Sequence, residues 1–523
     1  MMPEHSIARR VAVGTATNVA GQALVVLSAL ALVPIIVHAV GATDYGVWVL
    51  IGSIASFGFL FELGISAALV KYVAEHAARG EVEEAARMVG VATWLYAVLG
   101  ATVTAAGLLL ALVLPAVIDL HGAFARLVRP LVMLIALDVG ISIIAIAPLA
   151  VLRGLQRFPA VNAIYGAGAM SGVALTIAAL AAGGGIVGVA AVGAVNSAVT
   201  YALSLAVARH IVPGYMTIPI RKDGSRVRRL LKFSRSIAVI QVAGQMQTRL
   251  DAVVIAAALP VRLLAPYNFG QRLAEGTVIA TEQFGKVLLP LATEVGVTRD
   301  RPALRALFLT ATRLMLAIAL GVGLPLALLG GPILKLWVGD TFAGYGAVVT
   351  LLAVAAILDL PSRAAGAVLQ SIERHGPIAW MALGNGVANL GLSVALVGSY
   401  GINGVAAATV AATTAEMTCL VVPYAARVLG VSVRELTSEV VLRLAIPAAV
   451  LLGLLSGGKA ILPVTSVLGL AVVVSVALGG YALTYMTLGA GSAERSAYQS
   501  GAEATMRLLA RQRALRSKRS GRV

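Results

Sequence analysis

Ionisable side chains recur inside stretches of this chain that are otherwise apolar enough to sit in hydrocarbon. Between residues 265 and 291 lie Arg272, Glu275, Glu282 and Lys286, at steps of three, seven and four residues, which place them on one face of a helix. Between 236 and 259, Gln241, Gln245 and Arg249 follow at steps of four, with Asp251 just beyond. The first apolar run carries Asn18 and Gln22, the second Glu62, and the tenth Asp359 and Arg363. A charge at the middle of a bilayer costs several kcal/mol unless it faces protein or water, so such residues mark internal ion pairs or a wet passage. Glu282 and Lys286 stand i to i+4 in the orientation that favours a structural pair, which leaves Arg272 over. Guanidinium groups pair bidentately with phosphate oxygens and lysine supplies a compact positive charge. Arg249, Arg272, Lys286 and Arg363 are therefore expected to hold a phosphate or pyrophosphate, with Asn18, Gln22 and Gln245 completing a polar lining. Glu62, Asp251 and Glu282 are the candidates for carrying a coupling ion or proton. Asp138 and Glu416 stand alone and are expected to be packed and hydrogen-bonded.

The elements that must position these groups follow from composition. Of 523 residues, 59% are hydrophobic and 12% charged, and the mean hydropathy is +0.93. A soluble chain averages roughly 25% charged residues, so this one lacks the polar surface a soluble domain would need. It reads as an all-α polytopic membrane protein. A span needs roughly 20 apolar residues, and about fourteen runs qualify by that measure, near 16–38, 46–70, 88–115, 130–152, 159–182, 186–208, 236–259, 265–291, 306–330, 345–371, 378–399, 402–425, 440–457 and 464–488. The polar segment Met1–Arg10 followed by a full-length apolar run reads as the approach to a first span rather than a cleavable leader. Lys and Arg collect on one side of these runs, from Arg9 and Arg10 through Arg153, Arg157, Arg226 and Arg374 to the tail at 507–522, while the other side receives Arg126, Arg129, Arg262, Lys335 and Lys459. That asymmetry, roughly thirty against five, places both termini in the cytoplasm. The net charge of +17 is mostly a record of topology, and the basic tail is expected to meet anionic lipid headgroups and no nucleic acid.

The chain also repeats itself. Val151-Leu152-Arg153-Gly154-Leu155-Gln156-Arg157 returns as Val368-Leu369-Gln370-Ser371-Ile372-Glu373-Arg374, an offset of 217 (368 − 151), and Gly185-Ile186-Val187-Gly188-Val189-Ala190-Ala191 returns as Gly401-Ile402-Asn403-Gly404-Val405-Ala406-Ala407. Val19-Ala20-Gly21-Gln22 echoes Val242-Ala243-Gly244-Gln245. Two homologous hydrophobic halves are how carriers enclose a central site and expose it alternately to either side. The expected plan is two pseudo-symmetric six-helix lobes, 1–210 and 236–430, joined by an amphipathic cytoplasmic linker at 211–235, followed by two further helices in 431–490 and a basic cytoplasmic tail at 491–523.

Opposed to an enzyme are the absence of Asp-x-Asp, His-Glu-x-x-His and Gly-Lys-Ser/Thr patterns and of any long polar domain. The single Cys419 and six scattered His provide no metal-ligand spacing, and no cofactor is expected.

His38-Ala39-Val40-Gly41-Ala42-Thr43-Asp44-Tyr45-Gly46-Val47-Trp48, Phe61-Glu62-Leu63-Gly64-Ile65, Leu152-Arg153-Gly154-Leu155-Gln156-Arg157-Phe158, and Leu250-Asp251 followed by Tyr267-Asn268-Phe269 and Arg272-Leu273 occur in that order. In them the chain resembles the oligosaccharide flippases of the multidrug/oligosaccharidyl-lipid/polysaccharide exporter superfamily, with Glu62 where that family carries aspartate. The resemblance implies fourteen helices in two lobes around a V-shaped cavity lined by spans one, two, seven and eight. It implies translocation of an undecaprenyl-linked oligosaccharide across the bacterial cytoplasmic membrane for capsule, exopolysaccharide or O-antigen assembly. The implied partners are that lipid-linked oligosaccharide, membrane lipids, and the polymerase and glycosyltransferases of the same pathway.

Two relatives within the superfamily compete with that reading. A drug/cation antiporter would need an acidic binding pocket, which a cationic second half disfavours. A lipid II flippase would carry a similar anionic head.

Overall fold

In hydrocarbon, backbone amides and carbonyls must be satisfied within each segment, which for a chain of this composition means helix. The computed structural model describes residues 4–62, 64–117, 122–216, 223–297, 301–372, 374, 376–462 and 464–491, excluding side chains at 4–23, 61, 114–117, 122–125, 233, 235–240, 243, 282–291 and 293–297. The chain is all-helical there, with no strand among the described residues. The polytopic class expected from composition is the class observed. Ten helical stretches among the described residues are long and apolar enough to cross a membrane.

The helices are α1 (Glu4–Ser56), α2 (Ile65–Ala78), α3 (Val82–Val117), α4 (Gly122–Gly154), α5 (Phe158–Ala181), α6 (Gly185–Ile211), α7 (Gly224–Ala258), α8 (Leu264–Val297), α9 (Arg301–Val338), α10 (Gly346–Ser371), α11 (Gly376–Ala415), α12 (Val422–Leu429), α13 (Val433–Leu436), α14 (Leu442–Ile461) and α15 (Val467–Thr484). α1 and α11 each join two helices across a kink, at Gly41 (φ 80°, ψ 166°) and at Gly401 (φ 59°, ψ −143°), and both kinks fall at boundaries expected between spans.

Two compact units are present. The first comprises the chain up to Gly276 with Leu329–Asp359 and Arg374–Val421; the second comprises Thr277–Leu328, Leu360–Glu373 and the chain from Val422. In the first unit α3 packs on α4, α4 on α6, α5 on α1 and α6, and α7 on α11. Small residues permit the closest of these approaches: a β-carbon on Gly140 would stand 1.9 Å from Thr104 Oγ1 and 2.8 Å from the Gly100 carbonyl oxygen. In the second unit α14 packs on α15, and Ala317, Val440, Leu444, Tyr485 and Ala490 form an apolar cluster. In the same unit the buried Arg313 donates to the Glu439 carbonyl at 2.9 Å, so its charge is not stranded.

The start of α7 lies in the segment expected to be a cytoplasmic linker. Asp223 caps it, accepting from the backbone amides of Ser225 at 2.9 Å and Arg226 at 3.2 Å. Arg226 in turn donates to Glu84 of α3 through Nε at 3.1 Å and Nη2 at 2.9 Å, and the Arg229 guanidinium lies 4.6 Å from the Tyr72 ring centroid. Hydrogen bonds from the Ser225 hydroxyl, the Arg226 amide and the Arg226 guanidinium hold the Asp223 carboxyl well below the usual carboxylate range. A depressed folded-state value stabilises above the unfolded value of about 4 and is lost as pH falls beneath it. Asp223→Ala should therefore lower the melting temperature at pH 7, and the gap from wild type should narrow as the pH drops below about 4; a gap constant with pH would contradict the cap.

Candidate functional site

A break in the helix builds the first wall of a polar cavity. The turn Phe57–Glu62 ends α1, Gly64 takes a left-handed conformation (φ 72°), and the chain re-enters helix as α2. Glu62 is thereby placed at the N-terminus of α2, where free amides and the helix dipole favour an anion. Its oxygens accept from Ser66 N at 2.6 Å and Gly64 N at 3.3 Å, then from Tyr96 Oη at 3.2 Å and Gln241 Nε2 at 3.0 Å. Four donors hold one buried carboxylate, and one of them belongs to α7.

The cavity, about 450 Å³, is lined at this break by Glu62 and Ser66, by Arg153 near the end of α4, and by Gln241, Gln245 and Arg249 on α7. The α7 residues recur every four positions and so share one stripe of that helix. Gln241 Oε1, Gln245 Oε1 and Arg249 Nε are buried and have no hydrogen-bond partner among the described residues. Buried polar atoms are nearly always paired, so three unpaired ones on one cavity wall call for a ligand or ordered water. Arg249 forms no ion pair among the described residues. Two guanidinium groups against one fully hydrogen-bonded carboxylate leave the cavity formally positive. Arg153 is the second cation: its Nη2 donates to Tyr165 Oη at 2.8 Å and its guanidinium lies 5.8 Å from that ring.

Glu62, Gln245 and Arg249 thus line one cavity. Other expected site residues lie elsewhere. Arg272 of α8 donates through Nε to Asn268 Oδ1 at 3.2 Å, and the same oxygen accepts from Tyr45 Oη at 2.9 Å. Asp251 is buried one turn below Gln247, accepting from Tyr267 Oη at 2.5 Å, Asn389 Nδ2 at 3.1 Å and Thr409 Oγ1 at 3.4 Å. Beside it, Asn389 Oδ1 and Ser393 Oγ have no partner among the described residues. Arg363 is an exposed residue of α10 in the second unit, where each unit stands by itself. Asn18, Gln22, Glu282 and Lys286 have side chains outside the described residues. Asp138 accepts from Ser197, and Glu416 from Asn385 Nδ2 at 2.5 Å.

Sequence reasoning missed Arg153, which it counted among the cytoplasmic charges. A cue was present in the repeat: the counterpart of Arg153 in the second copy is Gln370, an asymmetry that topology alone does not require.

The fold is one found in solved transporters of the multidrug/oligosaccharidyl-lipid/polysaccharide superfamily. The structure is similar to lipid II flippase MurJ in an inward closed conformation, with a TM-score of 0.71 and 12% identity over 91% of this chain and 99% of that one. It is similar to an inward-facing multidrug resistance MATE family transporter, with a TM-score of 0.65 and 16% identity over 77% of this chain and 98% of the other. A transporter of the same superfamily from Pyrococcus furiosus, described as having a binding pocket of reversed polarity, gives a TM-score of 0.59 at 15% identity over 82% and 95%. No curated protein sequence matches the chain. The profile of the family described as polysaccharide biosynthesis protein matches residues 39–346, more than half of the length, and the chain belongs to that family.

Proposed function

We propose that this multi-pass membrane protein is a flippase that moves an undecaprenyl-(pyro)phosphate-linked oligosaccharide across the bacterial cytoplasmic membrane by alternating access, with both termini cytoplasmic. The cargo would come from glycosyltransferases on the inner face and pass to a polymerase on the outer one. The observation that carries this reading is the Arg249 guanidinium, without a partner among the described residues, lining with Arg153 a formally positive cavity of the first unit. A cationic cargo, as a drug antiporter would take, meets repulsion there. Arg272 would add a further positive contact, with Asn18 and Gln22 as neutral ones; Arg363 and Lys286 belong to the second unit. Transfer of one negative charge outward gains about 2.3 kcal/mol per 100 mV of inside-negative potential. Asp251, with unpaired oxygens of Asn389 and Ser393 nearby, is the carboxylate we assign to an ion or proton, ahead of Glu62 and Glu282; the four donors on Glu62 already fix it.

The protein reconstituted in liposomes with a fluorescent polyprenyl-pyrophosphate disaccharide provides the test. Accelerated loss of probe from the leaflet in which it was loaded is expected, and a rate equal to empty liposomes overturns the reading. Flux indifferent to pH and to monovalent-cation gradients removes Asp251 from coupling. Lethal loss of cell-wall synthesis on gene deletion, with no polysaccharide phenotype, would assign lipid II as cargo instead.

A further inference from the structure

A second cavity, about 410 Å³, lies against α4, α5 and α6 in the first unit. Phe59 and Ile146 line it and also line the cationic cavity, so the two adjoin. Both volumes fall in the range of about 300–1,000 Å³ found for small-ligand sites.

The chemistry of this second cavity differs. No charged side chain lines it among the described residues; Ser142, Asn196, Ser197 and Thr200 supply hydroxyls and an amide, and Tyr165 and Phe59 supply rings. Asn196 and Thr200 stand i to i+4 on α6, so they share a face. Across from them lies Gly168 of α5, where a methyl group would stand 3.1 Å from Thr200 Oγ1 and 4.0 Å from Asn196 Nδ2. Glycine there keeps space open in front of two polar groups. Ser171 donates to Asn196 Oδ1 at 2.8 Å, which leaves the Nδ2 amide as a donor. Thr200 Oγ1 forms no hydrogen bond among the described residues. The buried-side partner of Ser197 is Asp138: Ser197 spends its proton on that carboxylate, and its oxygen stands 3.0 Å from Ser142 Oγ as an acceptor. The polar groups are thus oriented as a mixed set of donors and acceptors, with aromatic faces alongside. That combination suits a pyranose ring, whose rim is hydroxylic and whose faces are C–H.

Arg153 joins the two spaces. It lines the cationic cavity while its Nη2 holds Tyr165 Oη, and Tyr165 lines the neutral one. We infer that the neutral cavity is a glycan subsite holding the sugar next to the pyrophosphate, with the pyrophosphate itself at Arg249 and Arg153. This rests on the flippase reading above and specifies what that cargo must carry.

The test measures affinity for the protein in nanodiscs by isothermal titration, using geranylgeranyl pyrophosphate and polyprenyl pyrophosphates bearing a single N-acetylglucosamine, galactose or glucose. Wild type should bind at least one glycosylated probe about tenfold more tightly than the sugar-free one, the effect of one or two extra hydrogen bonds. Asn196→Leu/Thr200→Val should abolish that preference and leave sugar-free binding unchanged. Ser142→Ala and Thr200→Val singly serve if the double variant does not fold. Equal affinity of wild type for all probes, or a preference that survives in the variants, overturns the subsite while leaving the flippase reading standing. Failure of wild type to bind any of the probes overturns both.

Discussion

Replacing Arg249 by alanine is expected to weaken binding of a polyprenyl pyrophosphate by roughly ten- to a hundredfold without loss of thermal stability. A hydrogen bond to a charged group is worth about 1.5–3 kcal/mol, and each 1.4 kcal/mol is a factor of ten. The two halves of this expectation have separate origins. Affinity falls because the guanidinium is one of two cations in the cavity and the one without a partner among the described residues. Stability holds because, among the described residues, truncation breaks no ion pair and removes a buried Nε that has no hydrogen-bond partner. Arg249→Lys should fall between, since charge is retained and the bidentate geometry is lost. Arg153→Ala should behave differently. It releases Tyr165 as well, so affinity and melting temperature should drop together. Unchanged affinity in Arg249→Ala, measured by titration with geranylgeranyl pyrophosphate, would remove the cationic cavity as the headgroup site.

The division between legible and illegible features has physical causes. Composition fixes the solvent, and solvent fixes the class: so apolar a chain can only bury its backbone in helices. The four-residue steps through Gln241, Gln245 and Arg249 identified one wall of the cavity because helical periodicity is a local property. Which helix opposes that wall is not local. α4 supplies Arg153 there, while Arg272 of α8 bonds to Asn268 beside Tyr45. For the one-helix ladder Arg272, Glu275, Glu282, Lys286, spacing gives the shared face and says nothing about a neighbour's side chains. Two helix breaks were legible: the kinks at Gly41 and Gly401 fall between the expected runs 16–38 and 46–70 and between 378–399 and 402–425. The break at Phe57–Glu62 and Gly64, inside the run 46–70, was not, because hydropathy cannot see a dihedral angle. The neutral cavity was hidden behind its own plainness, since Ser, Thr and Asn on apolar helices read as packing residues until Gly168 is found facing them.

The second large effect is structural. Gly46→Ala should abolish a monodisperse folded protein, although alanine is the better helix former by about 1 kcal/mol. A β-carbon at position 46 would stand 2.2 Å from the Val261 carbonyl oxygen and 3.1 Å from its carbon, and neither atom is the movable tip of a side chain. To restore contact distance the turn Val261–Leu263 must retreat from α1 by about 1 Å, the sort of over-packing that costs about 1–3 kcal/mol and sometimes more. The surroundings leave little room to yield. Tyr45, adjacent in sequence, is fully buried, bonded to Asn268 at 2.9 Å, with its ring 5.5 Å from that of Phe269. Phe269 lies 5.1 Å from Phe342 and 5.9 Å from Trp337, and Trp337 Nε1 donates to the Leu30 carbonyl at 3.1 Å. The sequence signatures Tyr45-Gly46-Val47-Trp48 and Tyr267-Asn268-Phe269 are therefore one knot, closed by a missing methyl group. Tyr45→Phe is the comparison that separates packing from polarity: it removes a single hydroxyl and should cost only about 0.5–1.5 kcal/mol. Size-exclusion profiles and melting curves of the two variants distinguish these outcomes. Should Gly46→Ala melt at the wild-type temperature, the close approach of α1 to the α7–α8 turn would have no structural weight. Arg272 would then have to be held in place by something other than the Tyr45–Asn268 pair.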